Sequence, residues 1–113
     1  MGLLEIQEQT ADDGFRRLTL LGELDLHTAP ILGQRLNELG ESAQSVRLDL
    51  SHLDFADSTG MALLVAAVED ATKHGWRLEV DPQLSPYVAR TVELWGAAGH
   101  FWPEDHAQLS PSG

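Results

Sequence analysis

Four consecutive residues, Asp57-Ser58-Thr59-Gly60, place a carboxylate, two hydroxyls and a glycine directly before an apolar run with helical spacing. A hydroxyl at a helix start faces free backbone amides and the positive end of the helix dipole. Phosphorylation of Ser58 would add about −1.5 to −2 of charge, which a helix start tolerates but a docked protein would not. Helix capping alone is the competing interpretation, although a cap needs only one of the three polar residues.

Ser58 is also a potential nucleophile, which would need a base and a group that orients the base. No G-x-S-x-G motif surrounds Ser58. Five histidines are available as bases, and none has a partner at motif spacing: His27, His52, His74, His100 and His106. No pair of histidines at i, i+4 with a nearby carboxylate indicates a metal site. We therefore predict that the chain is not an enzyme and has no metal or cofactor of its own.

The charge balance narrows the classes of partner. The chain has 18 Asp and Glu against 7 Lys and Arg, a formal net charge of −11, and no cysteine. This acidic composition without a basic cluster argues against direct binding to nucleic acid. No run approaches the roughly 20 apolar residues of a membrane span, and the first residues lack the basic region of a signal peptide. We expect a cytoplasmic protein without disulfides.

Apolar patterns predict the elements that position the Asp57-Ser58-Thr59-Gly60 segment. Alternating runs over residues 4–9 and 16–21, joined by Asp13-Gly14, predict a β-hairpin. A helix is predicted from Thr28, which can cap it, to Gly40, and a strand over 45–50 whose apolar pattern Leu53 and Phe55 extend. A second helix is predicted over 61–74, closed by Gly75, and a strand over 76–80 that ends at Asp81-Pro82. The last predicted helix runs from Ser85-Pro86 to Gly96. The order β-β-α-β-α-β-α predicts one α/β domain with a mixed, mostly parallel sheet and helices packed on it.

The helix over residues 61–74 is apolar around most of its first two turns. One stripe is expected to face the sheet: Met61, Leu64, Val65, Val68, Ala71 and Thr72. Further apolar residues lie outside that stripe: Ala62, Leu63, Ala66 and Ala67. Either other helices flank this helix on both sides, or it exposes an apolar patch for a partner, which also permits a weak dimer. The two interpretations are compatible.

Two further expectations concern the tryptophans and the C-terminal part of the chain. Periodicity favours a core location for Trp76 and Trp95. After Trp95 the pattern is irregular, and Pro103-Glu104-Asp105 is compatible with the start of a short helix through Leu109. We expect the domain to cover residues 1–109 and a frayed tail to follow over residues 110–113.

Three segments together resemble the STAS domains, and among them the bacterial anti-sigma factor antagonists. The segments are Gly-Glu-Leu-Asp-Leu-His-Thr-Ala-Pro over 22–30, Leu-Asp-Leu-Ser over 48–51 and Phe-Ala-Asp-Ser-Thr-Gly-Met over 55–61. The resemblance extends over about residues 4 to 101, in the same element order. It implies the STAS fold, with a mixed sheet of four to five strands.

The resemblance also implies a function. Such proteins bind an anti-sigma factor that is also a serine kinase, and so release an RNA polymerase sigma factor. The kinase phosphorylates the serine that matches Ser58, which blocks the complex, and a metal-dependent serine phosphatase reverses the modification. The acidic residue matching Asp25 lies beside this serine and takes part in recognition by the kinase. The implied partner-binding residues are Asp25, Asp57, Ser58, Thr59, Gly60 and Met61, and the nucleotide belongs to the kinase.

Two alternatives stay within the STAS family. The strand-to-helix loop at Ser58 offers backbone amides that a small molecule or nucleotide with a phosphate could use. The loop has one glycine and no lysine, which predicts weak affinity for anions. Some members keep the fold without being phosphorylated, so a non-phosphorylated scaffold is the second alternative. For all of these functions we expect the chain to be a monomer or a weak dimer.

Overall fold

The structure is a computed structural model that describes residues 3–103. The predicted terminal helix through Leu109 and the predicted tail over 110–113 lie outside the described residues. The elements in chain order are strands β1 (Leu4–Thr10) and β2 (Arg16–Leu24), helix α1 (Ala29–Glu41), strands β3 (Val46–Leu50) and β4 (Leu53–Ala56), helix α2 (Ser58–His74), strand β5 (Leu78–Leu84), and helices α3 (Pro86–Trp95) and α4 (Ala98–Phe101).

The predicted hairpin is confirmed, since β1 and β2 pair antiparallel with Leu4 opposite Gly22. Gly14 takes φ +86°, a left-handed conformation that glycine adopts without strain. The Asp13 carboxylate accepts a hydrogen bond from Phe15 N at 3.0 Å. The Asp13-Gly14 pair therefore makes the turn through its local chemistry, as the sequence pattern indicated.

The sheet is mixed and mostly parallel, with strand order β1-β2-β3-β5 and β4 beside β2. Strand β2 pairs in parallel with β3 over its first half and with β4 over its second half. Residues 53–56 are thus a separate strand, whereas their apolar pattern looked like an extension of β3. Asp49 explains the break, because its Oδ1 atom accepts hydrogen bonds from Ser51 N at 2.9 Å and Ser51 Oγ at 2.6 Å. These bonds turn the chain between the two strands.

The predicted end of the last strand at Asp81-Pro82 is wrong, because β5 continues to Leu84. Proline lacks a backbone N–H, and strands tolerate it at sheet edges and at bulges. Both conditions hold for Pro82. Strand β5 is an edge strand, and its register with β3 shifts between the pairs Leu48–Val80 and Leu50–Leu84.

The core lies between one face of the sheet and the helices. The strands contribute alternate buried residues, among them Leu18, Leu20, Leu48 and Val80. Helix α2 buries Met61, Leu64, Val68 and Ala71, as its period predicted. Thr72 departs from the prediction, because it is exposed and its hydroxyl donates to Val68 O at 3.1 Å.

Helix α2 is flanked by other helices, and part of its surface remains free. A Cβ added at Gly33 of α1 would lie 3.3 Å from Leu63 Cδ1, which shows how closely α1 and α2 approach. Helices α3 and α4 also contact α2. Ala62 and Ala66 remain exposed. The interpretation that other helices flank α2 is therefore confirmed, and the docking of a partner on its exposed part stays a prediction.

The two tryptophans predicted to lie in the core differ in their burial. Trp76 is half-buried against Gly40, where an added Cβ would lie 2.8 Å from the indole ring. Gly40 therefore serves this contact and does not end α1, which continues through Glu41. Trp95 is 45% exposed, so its predicted core location is wrong. It is the last residue of α3, beyond the buried Val88 and Val92.

None of the helices within residues 3–103 combines the length and the apolar character that crossing a membrane requires.

Candidate functional site

The ends of β2 and β4 lie side by side and form the base of the site. Leu24 pairs with Ala56 in parallel, and Asp57 N donates to Leu24 O at 3.1 Å. Asp25 follows the first strand directly and Asp57 follows the second. The carboxyl ends of parallel strands are where sites of open α/β sheets gather. The structure therefore brings Asp25 and the Asp57-Ser58-Thr59-Gly60 segment to one end of the sheet.

Asp57 begins α2 and also holds the neighbouring turn. Its Oδ1 atom accepts a hydrogen bond from Gly60 N at 2.9 Å, which is the geometry of a helix N-cap. Its Oδ2 atom accepts from Leu26 N at 3.2 Å. Helix α2 starts at Ser58, three residues before the predicted start at Met61. The segment treated as a loop is thus largely the first turn of the helix.

Asp25 shapes the turn between β2 and α1. Its Oδ1 atom accepts hydrogen bonds from His27 N at 2.9 Å and Thr28 N at 3.0 Å. Burial is the largest single effect and raises the pKa of Asp25, but the hydrogen bonds from Thr28 and His27 together hold that pKa below its usual value. The carboxylate form of Asp25 is therefore the form that fits this turn.

Thr28 was predicted as a cap of the helix that follows, and the structure corrects this. Its side chain makes no capping hydrogen bond to α1. The hydroxyl instead donates back to Glu23 O at 2.8 Å and accepts from Asp25 N at 2.9 Å. Thr28 is 4% exposed, so its polar group is buried and satisfied within the turn. Its role is to close the turn that carries Asp25.

Ser58 and Thr59 are both exposed at the start of α2. The two residues that follow them are buried. An added Cβ at Gly60 would lie 2.5 Å from Leu24 O, so only glycine allows α2 to approach the end of β2 this closely. Met61 is fully buried in the core. The prediction that Met61 contacts a partner therefore does not fit the structure, and its side chain supports the helix start from beneath.

Exposed apolar side chains lie on or against the segments that lead into the site, and sequence reasoning did not single them out. Leu26 is 62% exposed and lies in the turn held by Asp57. Phe55 packs against Tyr87, with ring centroids 5.2 Å apart, and Tyr87 is 49% exposed. Leu26 could have been identified from the sequence, because it is an apolar residue between the polar residues Asp25 and His27. Tyr87 has no such signal, because only the tertiary packing of α3 on β4 brings it against Phe55.

The Ser58 surface is not an enclosed cavity. A cavity of about 660 Å³ lies instead against β5, lined by Arg17, Arg77, Phe101 and Trp102 among others, and none of the predicted site residues lines it. Among the described residues, no group of three His, Asp or Glu side chains is placed to hold a metal ion. An exposed hydroxyl bordered by apolar and acidic side chains offers a surface for a macromolecule more than a niche for a small ligand.

Comparison with known proteins agrees with this fold. Residues 8–103 match the family model described as Mlab, STAS domain. The anti-sigma-B factor antagonist of Bacillus subtilis is 29% identical over 80 residues, which is 71% of this chain and 72% of that protein. The anti-sigma-B factor antagonist of Staphylococcus aureus is 27% identical over 90 residues, 79% of this chain and 82% of that protein.

A solved structure of an anti-sigma factor antagonist also resembles this chain. An anti-sigma factor antagonist from Mycobacterium paratuberculosis superposes with a TM-score of 0.73 at 25% identity, covering 88% of this chain and 84% of that one. Each of these relatives is named as an antagonist of an anti-sigma factor, which agrees with the predicted regulatory function.

Proposed function

The chain belongs to the STAS domain family, and on this premise we propose that it is an anti-sigma factor antagonist whose binding is controlled at Ser58. In its unphosphorylated form it binds an anti-sigma factor that is also a serine kinase, and so releases a sigma factor. Phosphorylation of Ser58 by that kinase ends the interaction. A metal-dependent serine phosphatase restores the binding form. All these steps take place in the cytoplasm.

The observation that carries this proposal is the environment of Ser58. The residue is exposed at the first position of α2, while its neighbours Asp57 and Gly60 are held against the ends of two strands. A kinase can therefore reach the hydroxyl while its backbone stays fixed by the Asp57 cap. Relatives named as anti-sigma-B factor antagonists support the choice of partner.

The local charge explains why a phosphate would end binding. Phosphorylation adds about −1.5 to −2 of charge next to Asp57 and at the sheet end that also carries Asp25. A helix N-terminus accommodates an anion, so the fold of the chain survives the modification. A partner that fits the unmodified surface meets a new charge and three new oxygen atoms at the centre of its contact. The switch therefore acts on the interface and leaves the fold intact.

We assign Asp25 a positioning role within this function. The carboxylate fixes the turn over residues 25–28 through His27 N and Thr28 N, and this turn presents the exposed Leu26. Thr59, which is exposed beside Ser58, is the second hydroxyl that a kinase could meet. The proposed contact surface thus consists of Asp25, Asp57, Ser58 and Thr59 with Leu26.

Affinity purification from the native host tests the proposal. A tagged Ser58→Ala variant should retain one protein that has ATP-dependent serine kinase activity and that inhibits a sigma factor. Ser58→Glu should retain much less of it, although a carboxylate carries less charge than a phosphate. Thr10→Ala removes an exposed hydroxyl at the opposite end of the sheet, where Thr10 pairs with Arg16 at the start of β2, and this control should behave like the wild-type chain. Equal retention by the alanine and glutamate variants would contradict the proposal.

Calorimetry with ATP separates the nucleotide-binding alternative. The isolated chain should show no measurable binding, because the proposed function assigns the nucleotide to the kinase. Tight binding of ATP without any partner would favour the alternative.

A further inference from the structure

Strand β1 is an edge of the sheet whose outer backbone groups are available. Within residues 3–103, β1 pairs with β2 alone. Glu23 N donates to Leu3 O at 2.9 Å, and pairs with and without hydrogen bonds alternate along an antiparallel ladder. The odd-numbered residues of β1 therefore direct their backbone groups at β2. The N–H and C=O groups of the even-numbered residues point outwards, namely those of Leu4, Ile6 and Glu8.

At the opposite edge of the sheet, the outer backbone groups of β5 are partly occupied or missing, unlike those of β1. At β5, the indole Nε1 of Trp102 donates to Val80 O at 2.6 Å. Pro82 lies in the same strand and has no N–H to offer. Proteins commonly protect edge strands with such features. Strand β1 has seven residues without a proline, and no side chain of the described residues caps its outer carbonyls.

We propose that the outer edge of β1 binds the same edge of a second copy of this chain, antiparallel, with the two-fold axis at Ile6. The two five-stranded sheets would then form one continuous sheet. An axis perpendicular to the sheet keeps the helices of both copies on one face. The interface is isologous, because the same residues contribute from both sides.

The side chains along β1 favour this register. Centring the axis on Glu5 or on Glu8 would place like charges directly opposite each other, which destabilises a strand pair. Centring it on Gln7 would avoid such a pair but would place Ile6 opposite the charged Glu8. With Ile6 on the axis, Glu5 of each copy lies opposite Gln7 of the other, and Ile6 meets Ile6. Gln7 Nε2 already donates to Glu5 Oε2 at 2.8 Å within one chain, so the same donor and acceptor are ready to pair across the axis.

Helix α1 supplies apolar surface beside this edge. Arg35 of α1 donates a hydrogen bond to Glu8 of β1 at 2.7 Å. The side of α1 that carries Arg35 therefore lies over the edge strand β1. Ile31 lies four residues before Arg35, on the same side of α1, and is 53% exposed. Ile6 is half-buried on the same side of the sheet. Dimer formation would cover Ile31 and Ile6 together, which gives the contact a hydrophobic contribution as well as backbone hydrogen bonds.

This arrangement leaves the Ser58 site free in both copies. The site lies at the carboxyl end of β2, and antiparallel joining points the β2 strands of the two copies in opposite directions. The two Ser58 surfaces would therefore lie at opposite ends of the dimer. One dimer could bind two partner molecules.

Sedimentation equilibrium of the full chain over a concentration series tests the interface with charge variants of the exposed Gln7. Gln7→Glu places a like charge opposite Glu5 twice per dimer and should raise the dimer Kd by about fivefold or more. Gln7→Lys places an opposite charge there and should lower the Kd by a similar factor. Gln83→Glu makes the same chemical change on β5, at the opposite edge, and should leave the Kd unchanged.

Four outcomes would overturn the proposal. The first is a wild-type chain that stays monomeric up to about 1 mM. The second is a dimer whose Kd responds equally to Gln7→Glu and Gln83→Glu. The third is no response to either Gln7 variant. The fourth is weakening by Gln7→Lys, which would exclude Ile6 as the axis. Gln7 is exposed, so urea unfolding should show that its variants keep the wild-type stability within about 0.5 kcal/mol.

Discussion

The Oδ2 atom of Asp57 accepts a hydrogen bond from Leu26 N at 3.2 Å. One carboxylate therefore connects the first turn of α2 with the turn that follows β2. Its other oxygen caps the helix through Gly60 N. Because Ser58 is the next residue, a phosphate on its hydroxyl would stand beside the carboxylate that holds these two segments together.

Asp57 variants should separate the cap from the connection between the segments. Asp57→Asn keeps an oxygen for Gly60 N but presents an amide nitrogen, a donor, where Leu26 N needs an acceptor. Asp57→Ala removes both interactions and should lower the free energy of unfolding by about 1–2 kcal/mol. Asp57→Asn should fall between the wild type and Asp57→Ala in urea unfolding. A variant Asp57→Asn as stable as the wild type would show that the Leu26 bond contributes nothing. Equal stabilities of Asp57→Asn and Asp57→Ala would show the same for the cap on Gly60 N.

Gly60→Ala should destabilise the chain, although alanine favours a helix more than glycine does. Its Cβ would lie 2.5 Å from Leu24 O and 2.8 Å from Leu24 Cγ, which forces α2 away from the end of β2. We expect a loss of about 2 kcal/mol or more in the free energy of unfolding.

Gly33→Ala in α1 is the control for the Gly60 prediction. Its Cβ would meet the mobile end of one side chain, Leu63 Cδ1, at 3.3 Å. We expect this change to be nearly neutral in urea unfolding. A Gly60→Ala variant as stable as Gly33→Ala would contradict the close approach of α2 to β2.

Asp25 should make folding pH-dependent in acid. Its pKa is lower in the folded chain than its usual value of about 4, because hydrogen bonds from Thr28 and His27 outweigh the effect of burial. The resulting stabilisation is complete above the unfolded-state pKa and is lost as the pH falls through the folded-state pKa. The stability difference between the wild type and Asp25→Asn should therefore shrink below about pH 4. A difference that stays constant with pH would contradict this.

Charge at Ser58 should change partner binding without harming the fold. A carboxylate at the start of α2 interacts favourably with the helix dipole, so Ser58→Asp should alter the free energy of unfolding by less than about 1 kcal/mol, in the stabilising direction. Ser58→Lys reverses the charge and should shift it in the opposite direction. Urea unfolding of both variants measures the sign. Strong destabilisation by Ser58→Asp would mean that the switch acts by unfolding the helix start.

Local chemistry explains which parts of the fold were predictable. Asp13-Gly14 makes its turn with its own carboxylate and the left-handed φ of glycine, so the hairpin is visible in the sequence. The separation of β3 from β4 depends on hydrogen bonds between Asp49 and Ser51. An apolar period does not show such bonds, and the two strands therefore looked like one.

The site was predictable to a similar extent. The resemblance to STAS domains implied that Asp25 lies beside Ser58, and the paired ends of β2 and β4 bring both residues to one end of the sheet. The burial of Met61 and the closeness of Gly60 to Leu24 depend on how α2 packs across β2. The exposed Tyr87 of α3 packs on Phe55, two residues before Asp57. Such contacts join segments that are distant in sequence, and a residue pattern does not encode them.

The most direct test of the proposed function is phosphorylation by the kinase that Ser58→Ala retains. Wild-type, Ser58→Ala and Thr59→Ala chains would each be incubated with that kinase and Mg-ATP, followed by intact-mass measurement and size-exclusion chromatography of the mixture. The proposal predicts one added phosphate on the wild-type and Thr59→Ala chains, none on Ser58→Ala, and loss of the complex wherever the phosphate is present. Phosphate on Ser58→Ala, or a phosphorylated wild-type chain that still binds the kinase as tightly as before, would contradict it.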